Sequence, residues 1–503
     1  MARPKQLNSN GKISKHTPRD ENGQGRRLST GIEGLDHILG GGLPPARLYL
    51  VQGAPGTGKT TIGLQFLFAG CAAGEKALYV SLSQSKIELA QIAASHGWSL
   101  DPVEVIEIGK PETTSISDQT IFHTAELRLD HMKEEIERII TELKPTRIVY
   151  DSLIEIRHLT GDDTRYRREL LGFKAFLEDQ RVTAMLFDTE SSYGGDLQVE
   201  GLAHGVFRLE KALPEYGFAR RRIEVKKMRG VAFADGYHDF AIRTGGVEIY
   251  PRIVPDLARE RTRPHPIKSG IEALDGMLGG GLEAGTTALV VGQAGTGKST
   301  LGSLYAHAAL LRDEAVALFL FEERIETFFR RCDGLGMKMR RYAQTGQLTI
   351  RDFNPAEISP GEFSQIVQRA VEEKDVKVVL IDSFTGYLNA LPHGEQAVSQ
   401  LQTLLKFLAR SGVLTILIVA QHGLLGRDVH SDIDLSFLGD SVLLLRMFEW
   451  PGAVRRSITA VKKRHGPHNL NVFELIISEQ GVTVRDYNPP PLGPSGPITT
   501  ESR

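Results

Sequence analysis

A chain of 503 residues is longer than one hydrophobic core ordinarily supports, so two or more domains are expected. Hydrophobic residues at 41% and charged residues at 24% give the balance of a globular protein, and a formal net charge of −2 excludes a global pull toward nucleic acid or an anionic membrane. Cys71 and Cys332 can build no disulfide framework, which suits a reducing cytoplasm, and no apolar run approaches the ~20 residues that span a bilayer.

Residues 1–26 form a basic arm poor in apolar side chains; it reads as disordered, and no apolar core follows to make it a signal peptide. STGIEGLDHILGGGL then begins at Ser29 and recurs as KSGIEALDGMLGGGL from Lys268. The displacement is 239 residues, and it also carries GAPGTGKTT from Gly53 onto GQAGTGKST from Gly292. A repeat this long is a duplicated domain, here 27–250 and 267–488. The Pro- and Arg-rich stretch 251–266 has linker composition, and residues 489–503 read as a second loose tail.

In the first copy the strand-like runs are 48–51, 77–82, 147–150 and 183–187; in the second they are 288–291, 317–321, 376–381 and 413–420. Unbroken apolar runs separated by helical stretches predict an α/β fold, two tandem domains that are each a mainly parallel sheet flanked by helices.

Both glycine-rich segments fit G-x-x-x-x-G-K-[ST], each after a strand and before a helix (62–69; 301–310). The loop glycines let backbone N–H groups curl round phosphates, and the helix adds its positive end. The predicted nucleotide contacts are Gly53, Gly56, Thr57, Gly58, Lys59, Thr60 and Thr61, with Gly292, Gly295, Thr296, Gly297, Lys298, Ser299 and Thr300 in the second copy. Lys59 and Lys298 reach the β- and γ-phosphates in this reading, while Thr60 and Ser299 offer a hydroxyl to Mg²⁺. Asp151 and Asp382, each at the end of an apolar run and before serine, are the carboxylates expected at that metal; the plainer alternative is a capping aspartate.

The copies differ beyond the loop. Twenty-four residues after Lys298 comes Glu322, then Glu323; the same distance from Lys59 lands on Ser83 and Gln84. A carboxylate there can polarise an attacking water, which predicts catalysis in the second copy and slow turnover in the first. Glu155, Asp188 or Glu190 can supply a substitute base in the first. Lys227 and Arg229 follow RRRIEVK, and Lys462 and Arg464 follow RRSITAVK; they read either as solvated charge or as cations sent into a neighbouring subunit's phosphate site.

Jointly these motifs resemble the KaiC family within the RecA-like ATPases, over roughly residues 27 to 488. The resemblance implies ATP as the nucleotide, with Mg²⁺, and a homo-oligomer, a double-ringed hexamer with ATP between subunits. In the clock protein of that family the first ring is an ATPase and the second an autokinase and autophosphatase. Ser83-Gln84 stands where the family has paired glutamates, and Ser436-Phe437 where the clock protein has adjacent Ser and Thr acceptors, leaving Ser436 as the one obvious acceptor, with an unmodified loop serine as the plainer alternative. The expected function is therefore an ATP-hydrolysing, autophosphorylating switch with room for a regulatory protein partner. The alternatives are a scaffold governed by nucleotide occupancy and a DNA-binding recombinase relative. No basic segment is interleaved with aromatic residues, so nucleic acid finds little support.

Overall fold

In the computed structural model, residues 26–108, 121–189, 197–213, 217–254, 265–389, 394–421, 436–450 and 452–487 are described. The expected arm, most of the linker, the tail and Glu190 lie outside them. The chain divides into two units, one of Met1–Leu213 and Ala219–Arg252, the other of Pro214–Phe218 and Ile253–Arg503.

The first unit carries β1 (Leu48–Gly53), β2 (Ala77–Ser81), β3 (Glu104–Glu107), β4 (Arg147–Asp151), β5 (Thr183–Asp188), β6 (Gly205–Ala212), β7 (Arg220–Met228), β8 (Tyr237–Arg243) and β9 (Gly246–Tyr250). They form one nine-stranded sheet in the order β3-β2-β4-β5-β1-β6-β7-β8-β9. The six strands from β3 to β6 are parallel, and the last three run antiparallel. The second unit opens with a ribbon of β10 (Pro266–Ile267) and β11 (Leu282–Glu283), matched in the first by a single bridge between Leu28 and Leu43. Its sheet comprises β12 (Thr287–Gly292), β13 (Val316–Leu320), β14 (Leu348–Asp352), β15 (Val378–Asp382), β16 (Leu414–Ala420), β17 (Ser441–Trp450), β18 (Ala453–Lys463), β19 (Phe473–Ser478) and β20 (Gly481–Asp486). The order β14-β13-β15-β16-β12-β17-β18-β19-β20 repeats that of the first unit strand for strand.

Side chains alternate across a strand, so each sheet feeds two cores. Tyr49, Val51, Tyr79, Val149 and Phe187 pack on one face with helix Lys59–Ala72, while Leu50, Leu78, Val80, Tyr150 and Leu186 pack on the other. Helices Ile121–Leu143, Leu153–Thr160 and Asp163–Asp179 cover that second face. Burial on both faces explains why these strands read as unbroken apolar runs. The second unit repeats the plan, with Val290 and Leu318 on the side of helix Lys298–Leu311 and Phe319 and Ile381 opposite. Each fully buried side chain of this size contributes roughly 1.5–3 kcal/mol.

The Asp of the repeated lead-in motif is a turn-holding residue. Asp36 accepts from Thr30 N–H at 2.8 Å and from the Ser29 hydroxyl at 2.6 Å, and Asp275 accepts from Ser269 N–H at 2.8 Å. No helix among the described residues is long and apolar enough to cross a membrane.

Candidate functional site

Because β1 lies between β5 and β6, the loop after Gly53 opens at the carboxyl edge of the sheet, the same edge to which β4 and β5 bring Asp151 and Asp188. Ligands of open α/β sheets bind along that edge. Each loop runs directly into its helix through a left-handed glycine: Gly58 at φ 107° and Gly297 at φ 98°. A Cβ at Gly58 would sit 2.8 Å from Ile242 Cδ1, and one at Gly297 would sit 2.5 Å from Ile477 Cδ1, so both backbone angle and space demand glycine. Thr57 and Thr296 close the turns, each hydroxyl donating at 2.8 Å to the carbonyl three residues back, at Ala54 and Gln293.

In the second copy Lys298 donates from Nζ to the Gln293 carbonyl at 2.7 Å. Burial lowers its pKa, against the opposing influence of Asp382 and Glu322. Asp382, 6% exposed at the tip of β15, has its carboxyl pushed up by burial; the hydrogen bond from Ser299 and the charge of Arg331 oppose that. The two glutamates are differently employed. Glu323 is clamped by Arg331, from Nη2 at 2.8 Å and Nε at 3.2 Å. Glu322 accepts at 2.6 Å from the hydroxyl of Ser383, the residue after Asp382. The structure thus gathers Lys298, Ser299, Glu322, Asp382 and Ser383 at one strand edge.

The first copy keeps the loop and changes its surroundings. Lys59 donates to the carbonyls of Gly53 and, at 3.3 Å, of Ala54; burial lowers its pKa, opposed by Asp151 and Asp188. Asp151 is raised by burial and accepts from the Tyr79 hydroxyl at 2.6 Å. Ser83 and Gln84 occupy a turn pinned by Ser81, whose hydroxyl donates to the Gln84 carbonyl at 2.6 Å and accepts from the Gln84 N–H at 3.0 Å. Asp188 is 2% exposed and accepts from Thr189 N–H at 2.9 Å, with Arg157 4.0 Å away.

The basic pairs are brought to equivalent places. Lys227 faces Val206 and Lys462 faces Val442, each beside a bulge in the strand pairing. Lys227 donates to the Glu200 carbonyl at 2.7 Å and Arg229 to the Gly201 carbonyl at 2.7 Å. Lys462 donates to the Gly439 carbonyl at 2.8 Å, and Arg464 pairs with Asp440 at 3.3 Å and reaches the Phe437 carbonyl at 3.5 Å. All four stand at the amino edge of the parallel strands. Arg229 N–H bonds His204, whose own N–H bonds Leu48 at the start of β1. At ~3.3 Å per residue that is roughly 15 Å from the phosphate loop of the same unit. They do not join the site of their own domain.

A family model described as "ATPase: KaiC" matches residues 28–253 and again 267–488. The chain belongs to the KaiC family. As a KaiC-family chain it is a P-loop ATP-binding protein of two RecA-like domains. The circadian clock oscillator protein KaiC of Parathermosynechococcus lividus is 28% identical over 470 residues, which cover 92% of this chain and 85% of that protein. The KaiC of Prochlorococcus marinus strain MIT 9313 is 27% identical over 473 residues, 92% of this chain and 93% of the relative. The circadian clock protein KaiC3 of a Synechocystis species is 27% identical over 470 residues, 91% of each chain.

Within this KaiC-family framework several residues at the loops escaped sequence reasoning. Arg456 of β18 donates from Nε to the Gly295 carbonyl of the second loop at 3.0 Å. Tyr79, Arg331 and Ser383 were equally unforeseen. Two of these left a signal in the sequence: Ser383 belongs to the repeated Asp-Ser strand end, and Tyr79, displaced by 239 residues, falls on Leu318.

Proposed function

We propose that this KaiC-family protein hydrolyses ATP in its second domain, while the first binds nucleotide and turns it over slowly. The supporting observation is the Glu322–Ser383 hydrogen bond, which ties a carboxylate to the strand tip bearing Asp382, close enough to Lys298 to influence it. In this reading Glu322 accepts a proton from the attacking water as the water oxygen bonds the γ-phosphorus, the bond from the γ-phosphorus to the β–γ bridging oxygen breaks with Lys298 steadying the β- and γ-phosphates, and ADP and inorganic phosphate leave. Glu323, already clamped by Arg331, positions the turn and takes no proton.

Ser299 and Asp382 are neighbouring oxygen donors, a set that suits Mg²⁺. Bound there, the ion would neutralise phosphate charge; these two residues would hold it.

The placement of Lys462 and Arg464 far from their own loop favours a closed homo-oligomer, six subunits by family analogy, in which they enter the neighbour's site. The turn that begins at Ser436 is held by Arg464 through the Phe437 carbonyl, which supports Ser436 as acceptor of the γ-phosphoryl group. Such a ring would act as a cytoplasmic switch for a regulatory partner.

The test follows γ-labelled ATP with the full-length protein. Label appears as free phosphate and, in part, on the protein. Loss of both in Glu322→Gln supports the catalytic assignment, and loss of protein label alone in Ser436→Ala supports the acceptor. Undiminished phosphate release in Glu322→Gln, with loss in Lys59→Ala, would reverse the assignment of the domains. A second reading, a scaffold run by occupancy, has Ser83 and Gln84 in its favour for the first domain. Ring assembly that tracks bound nucleotide in Glu322→Gln would support it.

A further inference from the structure

The carboxyl edge of the first sheet carries a charged pair that the second sheet replaces with hydrocarbon. Asp188, 2% exposed at the tip of β5, stands 4.0 Å from Arg157 of helix Leu153–Thr160, Oδ2 to Nη2. The Arg157 guanidinium in turn lies over the ring of buried Tyr166, 5.0 Å from its centre. In the second unit both positions are apolar. Gln52 pairs with Asp188, and Val291, its equivalent at the displacement of 239 residues, pairs with Val419. Arg157 follows Asp151 by six residues, and Leu388 follows Asp382 by the same six. Val419 and Leu388 are 4% and 3% exposed and belong to one apolar core.

The fold therefore does not ask for these charges. Taking a carboxylate out of water is costly, and exchanging a buried ion pair for hydrocarbon of similar size is often neutral or stabilising. The second sheet, with the same strand order, already carries that exchange. A charged pair kept at such a place is explained by what it meets, and it lies on the edge where nucleotide is expected.

Asp188 pairs through β5 with Gln52, the residue before the first phosphate loop, and its charge acts on Lys59 within that loop. A buried carboxylate here repels a triphosphate. It repels ATP more than ADP, because ATP carries the further phosphoryl group toward which the loop lysine reaches. Arg157 is the cation placed to reverse this. Its distance from Asp188 exceeds the span of about 2.7–2.9 Å of a charge-assisted hydrogen bond, and its planar fork matches the oxygens of a phosphate.

We infer that Arg157 and Asp188 form a γ-phosphate-sensing pair in the first domain. Arg157 binds the terminal phosphate of ATP, and Asp188 penalises a phosphate that Arg157 does not cover. Together they make this site distinguish ATP from ADP. The inference rests on the reading of the first loop as a nucleotide site.

The test uses full-length protein carrying Lys298→Ala, so that the first loop is read alone, with Mg²⁺ and fluorescent analogues of ATP and of ADP. Arg157→Leu is expected to weaken ATP binding at least about tenfold and ADP binding less than about threefold. Arg157→Lys, which keeps the charge, should retain most of the preference. Adding Asp188→Val to Arg157→Leu installs the apolar pair of the second domain. That double variant should melt no lower than its parent and regain about threefold or more of the ATP affinity. Equal weakening of ATP and ADP by Arg157→Leu, or no weakening of either, overturns the inference. Should Arg157→Leu alone fail to fold, the double variant decides: an ATP preference equal to the parent's overturns the inference, and a reduced one supports it. A parent whose first site binds neither nucleotide overturns the underlying reading and the inference with it.

Discussion

The two sheets share strand order, register and loop conformation, yet their phosphate loops meet different side chains. Behind the second loop stand Ser299, Glu322, Asp382 and Ser383; behind the first stand Tyr79, Ser83, Gln84 and Asp188. The comparison teaches that a backbone able to cradle phosphate and the polar groups set behind it are specified separately. The first needs glycines and a buried strand; the second needs a few polar residues at strand tips, where substitution leaves the core unchanged.

The comparison breaks most directly at Glu322. Phosphate release by Glu322→Gln should fall by about 10²–10⁴, the range for loss of a general base, with ATP still bound. The Ser83→Glu, Gln84→Glu double substitution should restore little to the first domain while Tyr79 bonds Asp151.

The domains also differ at the far ends of their sheets. Arg147, 2% exposed, is held by Glu75 at 2.5 Å and the Ser29 carbonyl at 2.6 Å, where the second sheet has Val378. Arg147→Ala leaves the Glu75 carboxylate, 9% exposed, with only the exposed Arg26 at 3.4 Å, and should cost about 3 kcal/mol. In calorimetry the first-domain transition should drop and the second remain; a uniform drop would mean the domains unfold as one.

Subunit mixing sharpens the comparison next. If Arg464 serves its neighbour, Glu322→Gln and Arg464→Ala, each nearly inactive, should recover on mixing toward roughly a quarter of wild-type turnover, the share of interfaces with both residues intact. Mixtures no more active than either parent would place Arg464 outside the neighbour's site.

The smallest effect concerns pH. His204, beside the start of β1, is held down at about 4 from an ordinary 6.5, first by burial and then by Lys174 and Arg47. The folded state therefore keeps it neutral while the unfolded chain takes up a proton. Its contribution to stability is full above pH 6.5 and is lost as pH falls toward 4. A Tm profile for His204→Asn should be flatter across that window.

Much of this was legible in residues alone. Duplication, the eight parallel core strands first marked, the loops and the Asp-Ser tips declare themselves through local patterns, because apolar runs and glycine spacing are properties of short segments. The antiparallel strands β8, β9, β19 and β20 went unmarked, since half-exposed edges dilute apolar continuity. The division of labour between Glu322 and Glu323 was equally hidden: the pair is adjacent in sequence, and only the return of Arg331 to one and Ser383 to the other separates them.

The sequence by itself determined that there are two phosphate loops on two parallel-centred sheets, and that they are unequal. Tertiary structure alone decided which groups meet at each. Tyr79 and Asp151 come from different strands, as do Arg456 and Gly295, and Lys227 is carried away from its own loop by the reversal of β7. Such meetings depend on register between strands distant in the chain, and no local pattern of residues encodes a register until the strands are paired.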